Sequence, residues 1–84
     1  MESLRISDQQ STIYLLSLKN EGILELAGYE LEPGSGRVWF EFLPKDKALN
    51  EIRKMENQQA QPIQPKRLLD SFNEFKNILR KAKQ

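Results

Sequence analysis

Between Tyr29 and Phe42 the chain carries two alternating segments around a four-residue turn, and this pattern constrains the fold more than any other feature. Tyr29-Glu30-Leu31-Glu32 and Arg37-Val38-Trp39-Phe40-Glu41-Phe42 alternate with the two-residue period of a strand. Pro33-Gly34-Ser35-Gly36 supplies turn residues between them. If Glu32 opposes Arg37, Leu31 meets Val38, Glu30 meets Trp39 and Tyr29 meets Phe40. Tyr29, Leu31, Val38, Phe40 and Phe42 then share one face. Glu30, Glu32, Arg37, Trp39 and Glu41 share the other. Turn length and apolar pattern demand the same register, because a slip of one residue would turn every apolar side chain to water. A two-stranded hairpin is not stable alone in water, so helices must cover its apolar face. The expected fold class is a small α+β domain in which the hairpin packs against about three helices, in the order helix, strand, strand, helix, helix.

The helices differ in how clearly they are written. Residues 1–10 read as a polar, mobile lead-in, with the domain running over residues 11–84. Residues 11–27 admit two readings. As one helix, capped by Ser11 or Thr12 and ended by Gly28, they gather Ile13, Leu16, Asn20, Ile23, Leu24 and Ala27 on a broad face. Gly22 costs that helix about 1 kcal/mol. The alternative is a strand at 12–18 followed by a short helix at 20–27; the single helix is preferred. Beyond the hairpin, Pro44 stops the strand and can start a helix containing Ala48, Leu49, Ile52 and Met55. Residues 57–65 form a Gln/Pro linker, and Pro65 opens the last helix with Gln64 before it. There Leu68, Leu69, Phe72, Phe75, Ile78, Leu79 and Ala82 make a wide apolar arc, and if it is wider than one domain can cover, part of it should meet a second copy. Phe40 and Phe72 are both assigned to the core.

The 84-residue chain contains neither Cys nor His. Disulfides, thiolate nucleophiles, Cys/His zinc sites and imidazole acid–base chemistry are therefore unavailable. Ser35 in the turn has no base to activate it, and no Gly-Lys-Ser/Thr follows to make a phosphate loop. Glu30, Glu32 and Glu41 share a sheet face but lack the spacing of a known cation loop. No catalytic residue, metal or cofactor is expected. Apolar runs reach four residues at Ile13 to Leu16, against the roughly 18–20 of a membrane helix. No basic-then-apolar leader precedes them, so the expectation is a cytoplasmic protein that avoids membranes.

The residues Ser11-Thr12-Ile13-Tyr14-Leu15-Leu16-Ser17-Leu18, then Gly28-Tyr29-Glu30-Leu31, then Val38-Trp39-Phe40-Glu41-Phe42, and last Pro65-Lys66-Arg67-Leu68-Leu69 continuing to Ile78-Leu79, form an ordered set. In this set the chain resembles a family of small uncharacterised bacterial and phage proteins, classed as a domain of unknown function. The resemblance covers roughly residues 11–80. The stretch between Tyr14 and Gly28 is several residues longer than that family's pattern. The resemblance implies an intracellular bacterial or phage-like setting and transfers no activity or catalytic residue.

Function therefore reduces to binding. Trp39 stands on the acidic outer face of the hairpin with Arg37 and Glu41, and a large aromatic there suits a protein contact. Its carboxylate neighbours would repel phosphates. Charge is also divided along the chain. Residues 1–42 carry three basic and seven acidic groups, and residues 43–84 carry ten basic and five acidic. That division suits intramolecular pairing, head-to-tail association or an anionic partner. On the last helix, Lys66, Asn73, Asn77 and Lys81 lie opposite the apolar arc, with Arg80 nearby, and could meet a nucleic acid, although Asp70 and Glu74 interrupt the stripe. The leading expectation is a non-enzymatic protein-interaction module, self-associating or not. The alternative is a nucleic-acid-associated accessory protein using the basic last helix.

Overall fold

The structure, a computed structural model, describes residues 2–59 and 62–83. Six elements follow in order: β1 (Leu4–Ile6), α1 (Gln9–Asn20), β2 (Glu25–Leu31), β3 (Val38–Leu43), α2 (Lys45–Glu56) and α3 (Pro65–Ala82). The strands form one antiparallel sheet in the order β1-β3-β2. The fold is α+β, with the expected helix, strand, strand, helix, helix order preceded by one further strand.

The hairpin has the register read from the sequence, with Leu31 opposite Val38, Glu30 opposite Trp39 and Tyr29 opposite Phe40. The Glu32 amide closes it by donating to the Arg37 carbonyl at 2.7 Å. Val38, Phe40 and Phe42 are buried, whereas Tyr29 remains 42% exposed at the open edge of the sheet. Phe40 stacks on Phe75 of α3, with ring centroids 5.5 Å apart, which ties the sheet to the last helix.

Two expectations about the first third of the chain are corrected. The segment expected as a lead-in belongs to the domain from Leu4 onward. Leu4, Arg5 and Ile6 pair with Phe42, Glu41 and Phe40, making β1 an edge strand of the sheet. The Leu-Arg-Ile alternation is too short for a period to register in the sequence. Asp8 then caps α1, its carboxylate accepting from the Ser11 amide at 2.9 Å, so the cap lies three residues before Ser11.

The helix is also shorter than residues 11–27. The Ile23 amide donates to the Leu18 carbonyl at 3.0 Å, and the Gly22 amide to Lys19 at 2.9 Å. This is the Schellman arrangement, with Gly22 at φ +81° as the left-handed residue after the cap. Gly22 therefore ends the helix rather than weakening its middle, and Gly28 is a strand residue. β2 begins at Glu25 and bulges between Leu26 and Gly28, where Leu26 pairs with Phe42 and Gly28 with Glu41. The bulge shifts the strand's phase at Ala27, which hides the alternation.

The run from Tyr14 to Leu18 follows no clean period because α1 is surrounded. Thr12, Tyr14, Leu15, Leu16, Ser17 and Leu18 are all buried, with α2, α3 and β2 packed around the helix. Small polar residues let α1 and α3 approach. The Ser17 and Ser71 hydroxyls, both fully buried, meet at 2.9 Å, and Ser71 also donates to the Arg67 carbonyl at 2.9 Å. Lys19 with Glu74, and Arg67 with Glu21 at 3.5 Å, flank this seam, and Lys45 reaches Glu2 at 3.5 Å. Of these, Arg67–Glu21 and Lys45–Glu2 pair the basic half of the sequence with the acidic half, whereas Lys19–Glu74 runs the other way.

α2 begins directly after Pro44, and its Glu51 is buried against α1, accepting from the Tyr14 hydroxyl at 3.3 Å and from Lys54 at 3.4 Å. Pro65 occupies the first turn of α3 with Gln64 at its N-cap, as the sequence indicates. Of the 57–65 linker, residues 60 and 61 lie outside the described residues.

Candidate functional site

Three surfaces carry the residues singled out by the sequence, and they differ in how much of their chemistry is already satisfied. The first is the outer face of the sheet. It holds Arg37, Trp39 and Glu41 together, as the register requires, and β1 adds Arg5 to them. The Arg5 guanidinium lies 4.8 Å from the indole centroid and that of Arg37 lies 5.8 Å from it. The indole N–H donates to the Glu32 carboxylate at 3.1 Å. That carboxylate also accepts from the Ser35 hydroxyl at 2.9 Å. These two hydrogen bonds, with the nearby Arg37 and Arg5 charges, hold the Glu32 carboxyl below its usual range. Trp39 is half-buried and its polar atom is paired within the sheet face.

The second surface is the solvent side of α3. Lys66, Asn73, Asn77, Arg80 and Lys81 are all exposed there, with Asp70 exposed among them. Lys66, Arg80 and Lys81 enter no ion pair among the described residues. Arg67 is turned instead toward α1, where it meets Glu21 and the Asn20 carbonyl.

The third surface follows from how α3 divides its wide apolar arc. Ser71, Phe75 and Ile78 are buried, with Ala82 half-buried along the same stripe. Pro65, Leu68, Leu69 and Phe72 recur at i, i+3, i+4 and i+7 on the next stripe, about 100° around the helix. Among the described residues this second stripe is only partly covered. Leu68 is 43% exposed and Leu69 58% exposed. They form one wall of an open groove of about 660 Å³. Gln10, Ile13 and Tyr14 of α1, Met55 of α2, and Ile63 in the connection complete its lining. Phe72, assigned to the core from the sequence, is a half-buried wall of this groove. The width of the apolar arc was the sequence signal for an uncovered surface. Its partners on α1 and α2 come together only through the tertiary fold.

No group of three or more Asp and Glu side chains among the described residues is arranged to hold a metal ion. No helix among them is long and apolar enough to cross a membrane. Comparison with family models, with curated proteins and with solved structures returned no match. The family resemblance drawn above accordingly rests on the sequence motifs alone.

Proposed function

We propose that this protein is a non-enzymatic interaction module that holds a protein partner in the groove between α1, α2 and α3. The observation that carries the reading is the exposure of Leu68 and Leu69 beside a continuous apolar lining. Two adjacent leucines on a rigid helix, next to a tyrosine, a methionine and a phenylalanine, lose contact with water favourably when a complementary surface covers them. Trp39, Arg37 and Glu41 take second place, because the indole is already engaged with Glu32, Arg5 and Arg37.

The test compares the protein with Leu69→Asp by sedimentation over rising concentration and by affinity capture after nuclease treatment, with the bound chain identified. A partner or second copy held by the wild type and released by Leu69→Asp is the expected result. A monomer that captures nothing, or a partner held equally by both proteins, refutes the groove as the binding surface.

One observation favours a second reading. Lys66, Asn73, Asn77, Arg80 and Lys81 share the exposed face of α3 and could follow a nucleic-acid backbone. Under this reading, reversing Arg80 and Lys81 to Glu abolishes DNA or RNA binding, and wild-type affinity falls steeply with salt. Leu69→Asp then leaves binding intact, the opposite of the outcome expected for a protein partner held in the groove.

A further inference from the structure

We infer that the groove accepts an amphipathic helix of a different protein, one whose apolar stripe is flanked by carboxylates. This inference rests on the interaction reading above and adds the partner's chemistry to it. The shape comes first. Pro65 to Phe72 offer two helical turns of apolar wall, about 10 Å long, opposite Ile13 and Met55. A trough of this kind, walled by helices and open along its top, receives a helix through residues at i, i+3, i+4 and i+7. A small apolar ligand lying in the trough would leave Leu69, at its rim, facing water; a helix covers both.

Charge then selects the partner. Lys66, Lys76 and Arg80 lie along the solvent side of the groove stripe, with Asp70 as the carboxylate between them. None of the three cations enters an ion pair among the described residues. The Lys76 ammonium stands 5.2 Å from the Phe72 ring centroid, at the edge of the apolar lining itself. A carboxylate on an incoming helix would meet that ammonium where water is partly excluded, and charge-assisted contacts are stronger there.

The same charges disfavour a second copy. An antiparallel pair that stacks Leu69 on Phe72 of the second copy brings Lys76 beside its Pro65 and Lys66. Cation then meets cation and the positive end of a helix. Sliding the pair to centre on Leu68 and Leu69 limits the overlap to residues 65–72. Lys76 and Arg80 then lie beyond the overlap and meet no carboxylate in it, whereas a separate helix can run past Phe72 alongside both.

The test is a selection of random peptides of about 16 residues, roughly four turns of helix, displayed on phage. The intact protein is the bait and the Leu69→Asp variant the counter-selection. Leu69 is more than half exposed, so this variant should keep the fold, and circular dichroism checks that it does. Enriched peptides with apolar residues at i, i+3, i+4 and i+7 and a net negative charge are expected. As synthetic peptides they should bind at least about tenfold more weakly to Lys66→Glu/Lys76→Glu, and more weakly as salt rises. Enriched peptides that are neutral or basic, or that bind the charge-reversed protein equally well, overturn the inference while leaving the groove as a binding surface. Dimerisation lost in Leu69→Asp also overturns it, by giving the groove to a second copy. Failure to enrich any peptide over the Leu69→Asp counter-selection, with the protein monomeric, overturns both the inference and the groove reading.

Discussion

Replacing Phe40 and Phe72 by alanine, one at a time, separates the closed side of α3 from its open side. Phe40 is fully buried, stacked on Phe75 at 5.5 Å and tilted against Tyr29 at 6.4 Å. Phe40→Ala removes its transfer free energy and leaves a cavity between sheet and helix, a loss of about 3–5 kcal/mol. A domain of this length has a total stability of about 4–13 kcal/mol, so the variant stands close to unfolding. Phe72 is half-buried, and one side of its ring already faces the groove. Its removal leaves no sealed cavity. It costs roughly half of a full phenylalanine burial plus the exposed contact with Lys76, together about 1–2 kcal/mol. Urea unfolding followed through Trp39, the single tryptophan, measures both values at equal m. If the two variants fall within about 1 kcal/mol of each other, the division of α3 into a covered and an uncovered stripe is wrong.

The remaining expectations concern the seam, the turn and the sheet face. Ser71→Leu should destabilise by about 1–3 kcal/mol in urea unfolding by wedging α1 from α3, because Ser71 is fully buried against Ser17; an unchanged midpoint would show that the seam has room. Gly22→Ala should cost about 1 kcal/mol or more, since alanine tolerates φ +81° poorly, and the thermal midpoint reads this. Glu32 is held below the usual carboxylate range, so its favourable contribution is present above the ordinary glutamate pKa, about 4.3, and is lost as pH falls through its depressed folded value. Trp39 emission should therefore step below the ordinary glutamate range, and Glu32→Gln should remove that step. Deleting residues 2–7 removes β1 and takes Arg5 from the indole, so Trp39 emission should shift to the red; an unchanged spectrum would argue against the β1–β3 pairing.

The sequence by itself determined the hairpin, its register and the last helix. Two-residue alternation on both sides of Pro33-Gly34-Ser35-Gly36 leaves one register that buries Val38, Phe40 and Phe42 together. Pro65 and the apolar recurrences through Ala82 write α3 in local terms alone. It also showed that the apolar arc of α3 is wide, and left open whether one domain covers it. Tertiary structure decided the rest, for reasons of environment. α1 is packed on most sides, so its burial requires no period, and Gly22 has opposite meanings in the middle of a helix and at its end. β1 is three residues long and exists because the free edge of β3 accepts its hydrogen bonds. Which stripe of α3 stays uncovered is equally non-local. Ser17 and Ser71 are small enough to draw α1 onto the Phe75 side, and that contact leaves Leu68 and Leu69 facing the groove.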